Sequence, residues 1–299
     1  MKKVKNIIII FSMIFVPITA FSHPTGNMIT VGDNVLWSYI NPIDDPNHKA
    51  CIMIWRKNSK PKIFLQSEYY ASDFILYKNN SDIYIIERRY LQTTQDFEIR
   101  VLKTKINNEP KVIWNWSKDK WRVGEGGFFM PSDNQIVFAK YPEVYCLYKG
   151  KEPIKHPFEL QKPINRLKAV ENNQFLLTDE NTCWLLNQKG KILKTWNNLL
   201  DDKVENAPLN RNQIFDVDYH NGELLIAYWG KRSFETISIN GERNVIYQLE
   251  NPFTPHWVAF LGDEKLLFSS KLIFNGSTPK PYLVLLNEKN DKKVIWNEQ

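Results

Sequence analysis

Six turn signals, centred on Asp33, Asn80, Asp133, Asn172, Asn221 and Asp263, recur along the chain at spacings of 47, 53, 39, 49 and 42 residues. Each is a short polar cluster such as Gly32-Asp33-Asn34 or His220-Asn221-Gly222. A run of β-branched and aromatic residues follows each one: VLWSYI, DIYIIERRY, QIVFAKY, QFLLTD, ELLIAYW and KLLFSS. Runs of this kind between turn residues read as strands, and sustained helical periodicity is almost absent. The chain is therefore all-β, with an internal repeat in the mid-forties.

A second turn series runs in phase with the first, at Asn58-Ser59-Lys60-Pro61, Asn107-Asn108-Glu109-Pro110, Lys149-Gly150-Lys151, Lys189-Gly190-Lys191, Asn240-Gly241-Glu242 and Lys289-Asn290-Asp291. The strand after it carries a recurring apolar signature: KIFL from Lys62, KVIWNW from Lys111, KILKTWN from Lys191, NVIYQ from Asn244 and KVIWN from Lys293, with Pro153-Ile154 as a degenerate copy. Two hairpins per repeat make four antiparallel strands. Repeats of this size are the mark of a β-propeller, in which each sheet is too small to bury its own faces and packs against two neighbours around a channel. Residues 23–299 divide into six units, so the expected fold is a six-bladed propeller of four-stranded antiparallel blades. A row of β-sandwich domains would need more strands per unit and another turn rhythm. Both end units look complete, which predicts closure by packing blade one on blade six instead of sharing a blade. The spacing resembles that of six-bladed propeller proteins in general. The K-h-h-W-N strand endings are similar to those of quinoprotein-like and WD-like propellers, although the Gly-His and Trp-Asp dipeptides of WD repeats are missing.

Residues 1–22, MKKVKNIIIIFSMIFVPITAFS, read as a secretory signal peptide: three lysines, an apolar stretch from Ile7 to Ala20, and a small-x-small cleavage site at Ala20-Phe21-Ser22. The stretch is shorter than the roughly 20 residues a spanning helix needs and contains Pro17. Cleavage removes Lys2, Lys3 and Lys5 and takes the formal charge from +6 to +3. With lysines and acids interspersed, nothing calls for a nucleic-acid partner. No later segment reads as a membrane span, and no cysteine stands at the cleavage site to take a lipid. A periplasmic or secreted protein is expected. Cys51, Cys146 and Cys183 form no C-x-x-C pair and sit in apolar strand-like runs, so they are expected as buried free thiols.

The first strand of each unit should line the channel, and its start should share one face, here the upper face, with the loops between second and third strands. That places predicted loops 41–50, 88–96, 116–125, 156–164, 196–213, 250–255 and 274–281 above the channel with His48, His156 and His256, and His220 below. Aligning the six inner strands by their turns puts Gly26, Asp73, Gly126, Asn165, Ile214 and His256 at one level, with Glu125 and Arg166 one residue off. This reads as a polar rim. Six-bladed propeller hydrolases and lactonases carry a carboxylate- and amide-rich ring that binds Ca²⁺, and the resemblance implies Asp73, Glu125 and Asn165 as counterparts, interrupted by Ile214.

Asp216 and Asp218 interrupt a mostly apolar inner-strand stripe, and buried carboxylates need donors, water, a basic neighbour or a metal. Bonding backbone N–H groups of the next blade and contacting a ligand are the two roles open to them, with Asp216 expected to reach the channel. Trp121, beside Arg122, is the aromatic best placed for an exposed contact, whereas Trp196 reads as inter-blade packing. The glycines of VGEGGFF open a strand and imply a tight approach or bulge. No G-x-S-x-G, H-E-x-x-H, Walker or G-x-G-x-x-G motif occurs. The leading expectation is an exported binding module for a protein, peptide or glycan, using Asp73, Trp121, Arg122, Glu125, Asn165, Arg166, Asp216, Asp218 and His256, with no cofactor required. The alternative is a metal-assisted hydrolase, lyase or lactonase at the channel mouth, with Ca²⁺ as its ion.

Overall fold

A computed structural model describes residues 26–40, 49–156, 162–171, 174–271 and 280–297. The predicted signal peptide, segment 41–48 with His48, and most of the predicted loops 156–164 and 274–281 lie outside them. Blade one comprises β1 (Met28–Val31), β2 (Asn34–Ile40), β3 (Ala50–Arg56) and β4 (Lys62–Gln66), and blade two β5 (Ser72–Asn79), β6 (Asp82–Leu91), β7 (Asp96–Thr104) and β8 (Lys111–Lys118). Blade three contains β9 (Phe128–Ser132), β10 (Gln135–Lys140), β11 (Glu143–Tyr148) and β12 (Ile154–Lys155), and blade four β13 (Arg166–Val170), β14 (Gln174–Thr178), β15 (Cys183–Leu186) and β16 (Ile192–Trp196). Blade five is built from β17 (Ile214–His220), β18 (Glu223–Tyr228), β19 (Ser233–Ile237) and β20 (Arg243–Gln248), and blade six from β21 (Phe253–Leu261), β22 (Glu264–Lys271), β23 (Pro281–Leu286) and β24 (Lys292–Asn297). Every blade is its own antiparallel sheet with strands in chain order. No α-helix occurs among the described residues, and none is long and apolar enough to cross a membrane.

The second turn series has one backbone requirement throughout. Asn58, Asn107, Gly150, Gly190, Gly241 and Asn290 all take positive φ, between 61° and 86°. Asn and Gly tolerate that left-handed conformation best, which is why the repeat shows as punctuation before it shows as strands.

The core consists of six apolar wedges, each squeezed between neighbouring blades. The wedge between blades one and six holds Trp37, Trp55 and Trp257, with Trp296 packed against it, so four of the ten tryptophans stand at the seam where the ring closes. Trp37 and Trp296 have ring centroids 5.6 Å apart, and Tyr39 meets Trp296 edge-on at 4.5 Å. Trp196 is buried between blades four and five, as the sequence implies. Cys51, Cys146 and Cys183 are all buried. Burial pushes the thiols of Cys146 and Cys183 up, away from the reactive thiolate form.

The six first strands touch in a closed ring, β1 against β5 and so around to β21 against β1. Blades three and four meet backbone to backbone: the Leu167 N–H donates to the Gly126 carbonyl at 2.7 Å, and a Cβ on Gly127 would stand 1.8 Å from the Leu167 oxygen. The close approach read from VGEGGFF is therefore real, and it needs glycine.

Candidate ligand-binding site

Away from that junction, side chains join the inner strands. The Asn27 amide both accepts from the Leu76 N–H and donates to the Leu76 carbonyl, at 2.7 Å each, and thereby imitates a strand pair between blades one and two. Asp216 and Asp218, two residues apart and so on one face of β17, accept the N–H groups of Val258 at 3.1 Å and Phe260 at 2.9 Å on β21. Lys168, from blade four, crosses to Asp216 at 3.0 Å and to the Val258 carbonyl at 2.7 Å. Burial lifts the Asp218 carboxyl above its ordinary value, with the Lys168 charge pulling it part of the way back. Of the two roles open to these aspartates, the geometry displays the blade-to-blade one. Lys168 and Asp218 line the channel, whose water-accessible volume is about 60 Å³.

At the upper mouth, Asp73 and Arg88 stand opposite each other on β5 and β6. The guanidinium bonds Asp73 at 2.6 Å and Glu125 at 2.7 Å. Burial alone would lower the Arg88 pKa, but the two carboxylates more than offset it and keep the side chain cationic. Arg122 adds a longer contact to Glu125 at 3.5 Å. Beneath them, the buried Asp119 carboxylate closes the loop by accepting the Val123 N–H at 2.9 and 3.1 Å. A Ca²⁺ ion on Asp73 and Glu125 would meet the Arg88 guanidinium, so this donor set fits the cation it already holds and not a second one. No group of three or more His, Cys, Asp or Glu spaced to hold a metal occurs among the described residues.

Bulges alter the rim on the far side. β17 gains an extra residue at Phe215 and β21 at His256, where the registers with β18 and β22 shift. The two bulged rings meet edge-on at 4.6 Å, and Trp229 stacks on Phe215 at 5.5 Å. His256 is consequently fully buried beneath the rim, with Ser270 Oγ 2.6 Å from Nε2. Trp121 is half-buried against Tyr145, ring centroids 5.1 Å apart, instead of standing clear in solvent.

Between these two sides lies a cleft of about 680 Å³ over blades three, four and five, lined by Glu125, Lys140, Tyr141, Asn165, Arg166, Thr178, Asp179, Glu180, Arg211, Asn212 and Gln213 among others. The structure thus brings together Glu125, Asn165 and Arg166 of the residues singled out from sequence, with Asp73 and Arg122 bound to Glu125's side of it. It adds Lys140, Tyr141, Arg211 and Gln213, which sit outside the inner-strand alignment. Arg166 lies with its guanidinium carbon 4.8 Å from the Phe215 ring centre. Burial lowers its pKa, and Asp216 counters this only in part. A separate cleft of about 540 Å³ opens below, at hairpin ends that include Asn79, Asn80, Gln135 and Gln188. His156 lines that lower cleft and not the upper face on which the loop count puts it.

No protein-family model matches the chain, and no curated protein matches its sequence. Solved structures do resemble it. A chain of a nidogen/laminin complex superposes with a TM-score of 0.50 at 13% identity, covering 90% of this chain and 91% of its own. Virginiamycin B lyase from Staphylococcus aureus gives a TM-score of 0.47 at 11% identity, covering 82% of this chain and 92% of its own. Saccharomyces cerevisiae Sqt1 gives 0.46 at 10%, covering 92% and 95%. Likeness at such identities concerns the fold alone.

Proposed function

We propose that this protein is an exported β-propeller binding module that recognises a protein, peptide or glycan at the upper mouth of its channel. The observation supporting this reading is the 680 Å³ cleft, which lies where loops of three blades converge and has polar side chains along its walls. Tyr141, 64% exposed at its edge, offers an aromatic face that folding does not use. The His256–Ser270 pair is sealed from solvent and out of reach of a substrate in this arrangement.

Binding of the full chain to defined oligosaccharide and peptide arrays tests the proposal. A bound ligand whose signal falls in Tyr141→Ala and persists in Gln174→Ala, a change in the lower cleft, supports it. Absence of binding, or dependence on Gln174 alone, overturns it. Stoichiometric, tightly held Ca²⁺ in the purified protein would move the reading to a metal-assisted hydrolase, lyase or lactonase. Export is tested separately: His23 as the first residue of protein recovered from periplasm or medium supports it, and an intact Met1 start counts against it.

A further inference from the structure

The charges of the upper cleft are unevenly committed. Of its three acids, Glu125 is bonded by Arg88, and Asp179 Oδ1 accepts the N–H groups of Asn181 and Thr182 at 2.7 and 2.6 Å. Glu180 is the acid left at the rim. Of its cations, neither Arg166 nor Arg211 donates a side-chain hydrogen bond or joins an ion pair among the described residues, and Lys140 reaches Glu125 only at 4.0 Å. Arg166 is the more telling of the two arginines. It is half-buried, held by the face of Phe215, and that contact leaves the donors at the edge of its planar fork unspent. The guanidinium therefore faces the cleft with donors that no protein acceptor takes up, and a carboxylate arriving there would meet a planar, bidentate partner.

The neutral lining narrows the ligand further. The side-chain amides of Asn165 and Gln213 also make no hydrogen bond among the described residues, so the walls beside Arg166 offer donors and acceptors suited to hydroxyl groups. Tyr141 supplies an exposed ring of the kind a pyranose stacks on. We infer that the upper cleft takes an acidic oligosaccharide, with a uronate-type carboxylate received by the Arg166 guanidinium, the sugar hydroxyls by Asn165 and Gln213, and the ring by Tyr141. The inference rests on the upper-face binding reading and specifies its ligand class.

Calorimetric titration of the full chain with an oligogalacturonate, its neutral galacto-oligosaccharide counterpart and an acidic peptide of equal charge tests it. The oligogalacturonate is expected to bind and the other two to bind at least about tenfold more weakly. Arg166→Met should lose at least about tenfold in affinity for the uronate while remaining folded, as thermal unfolding reports, and Arg166→Lys should recover only part, since an ammonium lacks the fork. Equal uronate binding by Arg166→Met, or equal binding of the neutral sugar, overturns the acidic-sugar inference. If in that case Tyr141→Ala still abolishes binding of the neutral sugar, the upper-face reading survives. Tighter binding of the peptide than of either sugar also overturns the inference while leaving that reading intact. No binding of any probe overturns the inference.

Discussion

The carboxylate of Asp216 accepts the backbone N–H of Val258 at 3.1 Å while holding Lys168 at 3.0 Å, so one side chain on blade five joins blades four and six. Asp216→Ala strips both partners at once and leaves a largely buried ammonium short of its counter-charge. A loss of about 3 to 5 kcal/mol is expected in denaturant unfolding. Asp216→Asn keeps an acceptor for Val258 and should lose less. Equal losses in the two variants would show that the N–H contact carries none of the effect.

Asp218 should behave in the opposite sense. Its folded carboxyl titrates above the ordinary value of 3.8, chiefly because it is buried. The stability its neutral form provides is complete below 3.8 and is lost as pH rises through the folded value. Asp218→Asn preserves the bond from Phe260 and removes the buried charge. Its melting temperature is expected to exceed the wild type at pH 7, with the gap closing as pH falls toward 3.8. A gap that widens in acid would refute this account.

Two arginines at the same mouth should respond very unequally to the same replacement. Arg88→Met abandons Asp73 and Glu125 and should cost about 3 to 5 kcal/mol, part of which Asp73→Asn restores in the double variant. Arg166→Met gives up the Phe215 ring face but no side-chain hydrogen bond or ion pair among the described residues, so its cost should stay within about 1 kcal/mol. Chemical denaturation of both proteins reads the contrast directly.

Gly127→Ala is expected to cost about 3 kcal/mol or more, because the added carbon would collide with the Leu167 carbonyl at a φ of +90°. Gly32→Ala, at a φ of +55° with nothing within 4 Å, should cost only the left-handed strain of about 1 to 2 kcal/mol. Comparable losses at both sites would mean that the contact between blades three and four is looser than described.

The blades were legible in the sequence because their turns impose a backbone requirement that few residues meet; Asn58 or Gly241 announces a hairpin whatever strands it joins. The mouth was less legible because counting along one strand ignores bulges and cannot see across a sheet. The extra residue at His256 moved that ring from the rim into the interior. Arg88 was invisible to an alignment of first strands because it lies on a second strand, although Glu87-Arg88-Arg89 at the end of the apolar run DIYII is a detectable anomaly. Lys168, within RLKAV, was the missing counter-charge for Asp216, three blades being needed to assemble what no one repeat displays.

Each blade is one uninterrupted stretch of chain, and the tryptophans of blades one and six meet at the seam without exchanging a strand. The circle therefore has no clasp. A protease cut in the 197–213 connection would leave blades one to four on one fragment and five and six on the other, with every sheet entire. The pieces would be held as the staves of a barrel are held, by lateral pressure across their edges, and the weakest wedge would decide where such a barrel first opens.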